Sequence, residues 1–211
     1  MPASTAVGPA AGPQDQLIQN IILSWLGGSR IIELKTVQIM DERKMTRPCI
    51  YAGHVGFNVE WSQELKLEQS LVEYVASSML VDILSHTDLV GFGEAREAAT
   101  QTIFDLSVGY DLKGISSAAV RGFVEQTMNA TAMVERLRAE IPEEFRELRD
   151  VPFKTDLCKS ITLSTFHGCP KDEIERICEF LLGEMGVHTV IKLNPTQLDR
   201  AYLEHLLHEK M

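Results

Sequence analysis

The chain has 211 residues, 45% of them hydrophobic and 24% charged, which is typical of a globular protein with one sizeable core. A formal charge of −10 argues against a nucleic-acid interface, which needs clustered lysine and arginine, and against binding to an anionic membrane. The N-terminus has no basic region followed by an apolar run, and no window approaches the roughly 20 apolar residues of a membrane helix. We therefore expect a cytoplasmic protein that acts on small molecules or binds other proteins.

The first fifth of the chain predicts one β-α-β unit. TAVGPAAGP, residues 5–13, is a short extended run broken by glycines and prolines, and its small residues let another group approach the backbone closely. Apolar residues at helical spacing predict a helix over residues 14–26, followed by a Gly-Gly stop. The β-branched run RIIELKTVQI, residues 30–39, predicts a strand.

Residues 40–102 do not continue this repeat, and we interpret them as a mainly helical insertion. An apolar stripe over residues 66–84 predicts one or two helices, and the stretch before it looks like loop or irregular β structure. Beyond the insertion, residues 102–112 alternate apolar and polar side chains as a strand with two different faces does. A helical stretch over residues 116–149, interrupted at Pro142, follows it.

The remaining residues repeat the strand-helix order. They predict a strand at SITLST, a helix over 170–185, a strand over 188–194 and a last helix over 197–208. About five β/α units predict a parallel α/β fold, which a doubly wound sheet or a (β/α)8 barrel would satisfy. A whole barrel usually takes about 250 residues. We therefore expect an incomplete parallel (β/α) barrel of TIM type, with residues 1–211 forming the N-terminal part of one barrel domain.

Two lysines stand at equivalent places near the ends of predicted strands. Lys35 in IELKTV and Lys192 in VIKLNP lie on the strand phase opposite the apolar residues, which directs both ammonium groups into the barrel. A buried charge requires a partner. That partner is either Glu33 or Asp105 in a structural ion pair, or a bound anionic ligand at the C-terminal face, where barrel active sites lie.

The four cysteines are spread along the chain without a CxxC pair, so we expect free thiols and no metal site. Within LSTFHGCP, His167 and Cys169 are too close and too few to bind a metal ion. His167 could act as a general base, but a turn histidine is the more frequent role. Cys178 lies on the apolar stripe of the following helix and is expected in the core.

Five motifs occur in one order: GPAAGP, ELKTVQ, SVGYDL, LSTFHGCP and VIKLNPT. Together they resemble the FMN-binding barrel of dihydroorotate and dihydropyrimidine dehydrogenases, and most closely the FMN-barrel part of the related subunit type described as a selenate reductase. The resemblance runs from Thr5 to about Thr196. It implies an FMN-dependent oxidoreductase with a small-molecule substrate and a TIM-barrel fold.

The resemblance also implies roles for individual residues. The turn at Ala10, Ala11 and Gly12 would lie against the isoalloxazine ring. Lys35 and Thr36 match the flavin contacts of the second strand, and Lys192 matches the lysine near the N1 and O2 side of the flavin. A fixed cation there stabilises the negative charge of the reduced ring.

Cys169 matches, across a gap, the loop cysteine that exchanges a proton with the substrate opposite the flavin. Its position before Pro170 suggests the N-cap of a helix, where the helix dipole would lower the thiol pKa. The alternative is an inert cap, and the sequence does not decide between the two.

The chain departs from the pyrimidine-reducing relatives at the substrate positions. Asp111 and Thr162 stand where those relatives have asparagines that read a cyclic amide, and they offer different donors and acceptors. Asn194 is a further candidate substrate contact. The loops that bind the FMN phosphate in the family are not matched, so another chain or segment would complete the barrel. FAD, NAD(P)H and iron–sulfur clusters would belong to partner domains.

Two other functions remain open from the sequence. The chain could be a non-catalytic barrel fragment that acts in assembly or docking. It could also be an aldolase or isomerase barrel in which Lys35 or Lys192 forms a Schiff base. The latter leaves the GPAAGP turn and Cys169 without roles.

Overall fold

A computed structural model describes residues 2–12, 15–39, 50–51, 57–58, 65–165, 168–193 and 199–209. Its centre is a parallel four-stranded sheet in the order β1 (Ile31–Glu33), β4 (Ile103–Val108), β5 (Cys158–Ser164), β6 (His188–Lys192). Two short strands, β2 (Ile50–Tyr51) and β3 (Phe57–Asn58), form a separate antiparallel pair. Spatial order follows chain order without the reversal that defines a doubly wound sheet, so the sheet is part of a TIM-type barrel.

The first extended run lies along the free edge of β1. The Val7 carbonyl accepts hydrogen bonds from the amides of Arg30 and Ile31 at 3.0 and 3.3 Å, and the Pro9 carbonyl accepts from Glu33 at 3.3 Å. A Cβ on Gly8 would lie 1.4 Å from the Ile31 carbonyl oxygen, so only glycine permits this approach. Pro9 has no N–H with which to donate a hydrogen bond to β1. The run is therefore extended but does not form a regular strand.

The outer face of the sheet is apolar and lies under the helices. Phe104, Leu106 and Val108 of β4 are buried there, as are Ile161 and Leu163 of β5. The alternate residues turn to the inner face, and they are polar: Asp105 and Ser107 on β4, and Ser160, Thr162 and Ser164 on β5. The alternation predicted for residues 102–112 is thus observed, although the strand ends at Val108.

Helices flank the strands. They are α1 (Ile18–Leu26), α2 (Leu67–His86), α3 (Arg96–Thr100), α4 (Leu112–Ile115), α5 (Ala118–Met128), α6 (Thr131–Glu140), α7 (Ile174–Glu179) and α8 (Arg200–Glu209). Short 3-10 turns occur at Asp88–Val90, Gly93–Ala95 and Glu143–Asp150, and α7 continues as a wider π-type turn over Phe180–Glu184. The stretch predicted as helical over 116–149 is divided into α5, α6 and the 3-10 turn that follows Pro142.

Helix α2 fills the crossover between β1 and β4. It packs against α1, α5 and α6, and it contributes Leu71, Tyr74 and Val75 to the core. The Tyr74 ring meets Phe123 of α5 edge to face at 6.3 Å between centroids. The bounds of the insertion and of the barrel domain remain predictions. In the part of the chain that the structure describes, no helix is long and apolar enough to cross a membrane.

Candidate functional site

The inner face of the sheet brings together residues from its two outermost strands. Lys192, the last residue of β6, places Nζ 2.7 Å from both carboxylate oxygens of Glu33, the last residue of β1. Neighbouring strands lie about 4.8 Å apart, so two residues on strands with two others between them can meet through side chains only if the sheet curves strongly. The inner face is therefore concave, as in a barrel, and the ion pair lies across it.

Glu33 also contacts the small-residue turn. Its Oε2 accepts a hydrogen bond of 3.0 Å from the backbone amide of Ala11. The Glu33 side chain is 13% exposed, whereas that of Lys192 is 39% exposed. One carboxylate thus joins the turn at Ala10, Ala11 and Gly12 to the lysine of β6, the residues for which the family resemblance implies cofactor binding.

Asp15 is a buried carboxyl group beside this pair. Only 1% of Asp15 is exposed, and burial raises its pKa from 3.8 to about 8. The charge of Glu33 raises the pKa further, and that of Lys192 opposes the rise. Asp15 therefore holds a proton at neutral pH. Sequence reasoning did not select it, although its place directly after the small-residue turn was a usable signal.

Lys35 and Thr36 follow β1 and are both buried. The backbone of Lys35 is fixed from two sides, because its amide donates to the Asp15 carbonyl at 3.3 Å and its carbonyl accepts from the Tyr74 hydroxyl at 3.0 Å. The Thr36 hydroxyl lies 2.8 Å from that of Ser107 on β4. Thr36 is therefore engaged within the protein. The flavin contacts expected of Lys35 and Thr36 remain predictions.

Asp105 and Thr162 form a second polar pair on the inner face. The Thr162 hydroxyl donates to Asp105 Oδ2 at 2.5 Å, and Asp105 is only 7% exposed. Burial raises the pKa of Asp105, while the hydroxyls of Ser160 and Thr162 oppose the rise. Asp105 Oδ1 has no hydrogen-bond partner among the described residues.

A trough of about 480 Å³ runs along this inner face. Glu33, Asp105 and Thr162 line it from the sheet, and Ala10 and Val190 line it from either side. Its volume is within the range of small-molecule sites, about 300–1,000 Å³. The trough therefore joins the turn, the acidic residues and the strand that carries Lys192 in one cleft.

The structure corrects the position expected for Cys169. Helix α7 begins at Ile174 with Glu173 as its N-cap, so Cys169 precedes the helix instead of capping it. Burial raises the thiol pKa, and the negative charge of Glu173 and the thiol of Cys178 act in the same direction. The expectation of a helix-stabilised thiolate is therefore wrong, and Cys169 rests as a neutral thiol. Its catalytic role remains a prediction.

Tyr110 ties the loops that follow β4 and β5. A Cβ on Gly114 would lie 2.4 Å from its ring, and one on Gly168 would lie 3.4 Å from it. Tyr110 has a φ of 151°, the only positive φ recorded for a non-glycine residue in the described ranges. The Glu173 carboxylate accepts from the Leu112 amide at 2.7 Å and adds a second link. The turn bearing Cys169 is thereby held against the β4 loop.

The remaining candidate residues are distributed as follows. Asp111 is the N-cap of α4, where its Oδ1 accepts from the Gly114 amide at 2.7 Å. The carboxylate that contacts Thr162 is therefore Asp105, not Asp111. Asn194 and His167 lie outside the described residues. Cys158, Cys169 and Cys178 are free thiols, and no group of metal-ligating side chains occurs in the described ranges.

Comparison with known proteins adds a family to this geometry. The family model described as "Oxidoreductase YgfK, N-terminal TIM-barrel domain" matches residues 1–211. The protein named "Putative oxidoreductase YgfK" of Escherichia coli K12 is 38% identical over 223 residues, an alignment that covers 97% of this chain and 21% of that protein. The protein of the same name from Escherichia coli O157:H7 gives the same values. The chain thus spans about a fifth of the length of these relatives.

Proposed function

Because the chain belongs to the family of N-terminal TIM-barrel domains of YgfK-type oxidoreductases, we propose that it supplies part of an FMN-binding barrel. The chemistry that FMN supplies when bound is hydride transfer to or from a small unsaturated or heterocyclic substrate. We further propose that another chain or segment completes the barrel and binds the FMN phosphate. FAD, NAD(P)H and iron–sulfur clusters are assigned to partner domains.

The observation that carries the proposal is the constellation of Ala11, Glu33 and Lys192, which Glu33 joins on the inner face of the sheet. The small side chains of the Ala10 turn leave room for a flat ring against the backbone. Lys192 provides a cation beside this turn, fixed by its ion pair with Glu33. A fixed positive charge stabilises the negative charge that a reduced isoalloxazine ring carries, so the residues present suit this cofactor.

The protonation state of Cys169 suits a reductive reaction. Cys169 holds its proton at neutral pH, since its thiol pKa is raised. A neutral thiol can donate the proton that accompanies hydride addition to a carbon–carbon or carbon–nitrogen double bond. Asp105 and Thr162, on the inner face, are the candidate contacts for polar groups of the substrate. Asp111 is occupied in capping α4.

The test is an absorbance spectrum of the full chain purified with whatever completes its barrel. We expect flavin bands, and we expect Lys192→Ala to lower FMN affinity at least tenfold. Lys159→Ala is the matched control, because Lys159 lies at the opposite end of β5, exposed and paired with Asp156. A wild-type preparation with every barrel strand present and no bound FMN would refute the proposal.

One observation favours the alternative of a non-catalytic assembly subunit. On and just after β6, the apolar side chains of Val190, Ile191 and Leu193 are exposed, and β6 is an edge of the described sheet. An edge strand with exposed apolar residues is a ready surface for pairing with another strand. Assembly without any flavin would support this alternative, whereas assembly with flavin shows that the same edge serves barrel completion.

A further inference from the structure

The Glu33 carboxylate joins two groups that come from opposite ends of the chain. Its two oxygens both lie 2.7 Å from Lys192 Nζ, and Oε2 accepts the Ala11 amide at 3.0 Å. Glu33 is the last residue of β1, so regular backbone pairing with β4 sets where the carboxylate lies. It is the fixed point to which both the turn and the lysine are attached.

The position of Lys192 depends more on the contact with Glu33 than the position of the turn does. Its side chain is 39% exposed and carries four rotatable methylene groups, so without a partner the ammonium group would sample many positions in water. Contact with both Glu33 oxygens restricts the ammonium group to one position beside Glu33, which lines the trough. Without that contact Lys192 would keep its positive charge, but the ammonium group would no longer be held at a fixed position relative to a ligand.

Glu33 and Lys192 also act oppositely on their surroundings. Lys192 lowers the pKa of Asp15 and of Asp105, whereas Glu33 raises both. Their electrostatic effects therefore overlap within the same cleft and partly cancel there. Any group bound beside Lys192 experiences the sum of the two charges, not that of the lysine alone.

We propose that Glu33 is a positioning residue that fixes Lys192 and the turn at Ala11 beside the flavin ring and that its charge sets how strongly Lys192 favours the reduced ring. This inference rests on the proposed function. Glu33 acts through Lys192 and the turn, and neither substrate nor cofactor needs to touch it. The Glu33 side chain contacts both of these candidate flavin-binding segments.

Three substitutions separate position from charge. Glu33→Gln keeps an oxygen for the Ala11 amide and removes the negative charge, so we expect the flavin equilibrium to move about tenfold toward the reduced form, about 30 mV for a two-electron couple. Glu33→Asp keeps the charge but shortens the side chain by one methylene, so FMN affinity should fall with little change in potential. Glu144→Gln removes an exposed charge away from the cleft and should change neither.

A double-mutant cycle with Lys192→Met tests the coupling. If Glu33 acts through Lys192 as well as by its own charge, the shift in flavin potential caused by Glu33→Gln differs between the wild-type and Lys192→Met backgrounds. An equal shift in both backgrounds would overturn the inference while leaving flavin binding, and hence the proposed function, intact. The flavin potential is informative because a merely structural role for Glu33 would change the stability of the chain. It would not make the effect of Glu33→Gln on the potential depend on Lys192.

Amide exchange distinguishes failure of the inference from failure of the proposed function. In the full chain without flavin, hydrogen exchange of the Ala11 amide should accelerate at least tenfold in Glu33→Ala and less in Glu33→Gln. Acceleration in a protein that binds no FMN would confirm the attachment and refute the flavin function. Unchanged exchange in Glu33→Ala would overturn the positioning role even if FMN binds.

Discussion

Lys192 and Glu33 meet across the inner face of the sheet at 2.7 Å, although β4 and β5 lie between the strands that carry them. The contact shows that four strands are enough to establish the curvature of the barrel. It also brings a residue near the end of the chain beside the turn at residues 10–12. The candidate site is therefore assembled by the curvature of the sheet and not by any one loop.

The close approach of Gly8 to β1 predicts a large difference between two glycine substitutions. Gly8→Ala should destabilise the chain by at least about 3 kcal/mol, because its Cβ would overlap the Ile31 carbonyl oxygen. Gly122→Ala is the control. Nothing lies within 4 Å of its Cβ position in α5, and alanine should stabilise the helix by about 0.5–1 kcal/mol. Urea unfolding of both variants measures the difference, and equal midpoints would contradict the packing of residues 7–9 on β1.

The hydroxyl of Thr162 should matter more than its shape. Thr162→Val removes the hydroxyl that donates to Asp105 Oδ2, and Oδ1 of this buried carboxyl group already has no hydrogen-bond partner among the described residues. We therefore expect the free energy of unfolding to fall by about 1–3 kcal/mol. Thr162→Ser retains the hydroxyl and should cost less than half as much. Chemical denaturation at pH 7 tests this. Equal losses in the two variants would show that the methyl group, rather than the hydrogen bond, is responsible.

The raised pKa of Cys169 predicts slow alkylation at neutral pH. Iodoacetamide should modify Cys169 more slowly than a free cysteine at pH 7, and the rate should continue to rise above pH 9, because only the thiolate reacts. Glu173→Gln removes the nearby negative charge but keeps an acceptor for the Leu112 amide, so it should accelerate the reaction. Peptide mass spectrometry separates Cys169 from buried Cys158. Faster modification of Cys169 than of free cysteine at pH 7 would disprove the neutral-thiol assignment.

Local patterns in the sequence were sufficient to predict the strand phases and the parallel order. The alternation of apolar and polar residues around Leu106 indicated which face of the strand is buried. The same pattern correctly predicted that Lys192 lies on the inner face. The sequence left Glu33, Asp105 or a bound anion open as partners of the lysines, and for Lys192 only the curvature of the sheet decides for Glu33. Asp15 was missed because burial, which sets its pKa, is a tertiary property. Cys169 was misplaced because a turn over residues 171–173 separates Pro170 from α7, and propensity alone does not fix where a helix begins.

Asp15 makes the stability of the chain depend on pH. Its pKa is about 8 in the folded chain and 3.8 as an ordinary value, so between these values the folded state binds a proton that the unfolded state has released. Stability supplied by the neutral form is fully present below pH 4 and is lost as the pH rises to about 8, by on the order of a few kcal/mol. Asp15→Asn stays neutral throughout and should flatten the dependence, making the variant more stable than wild type at pH 9. Asp150→Asn, at an exposed position, is the control. Urea midpoints at pH 5, 7 and 9 provide the measurement, and parallel curves for wild type and Asp15→Asn would show that Asp15 is already ionised at neutral pH.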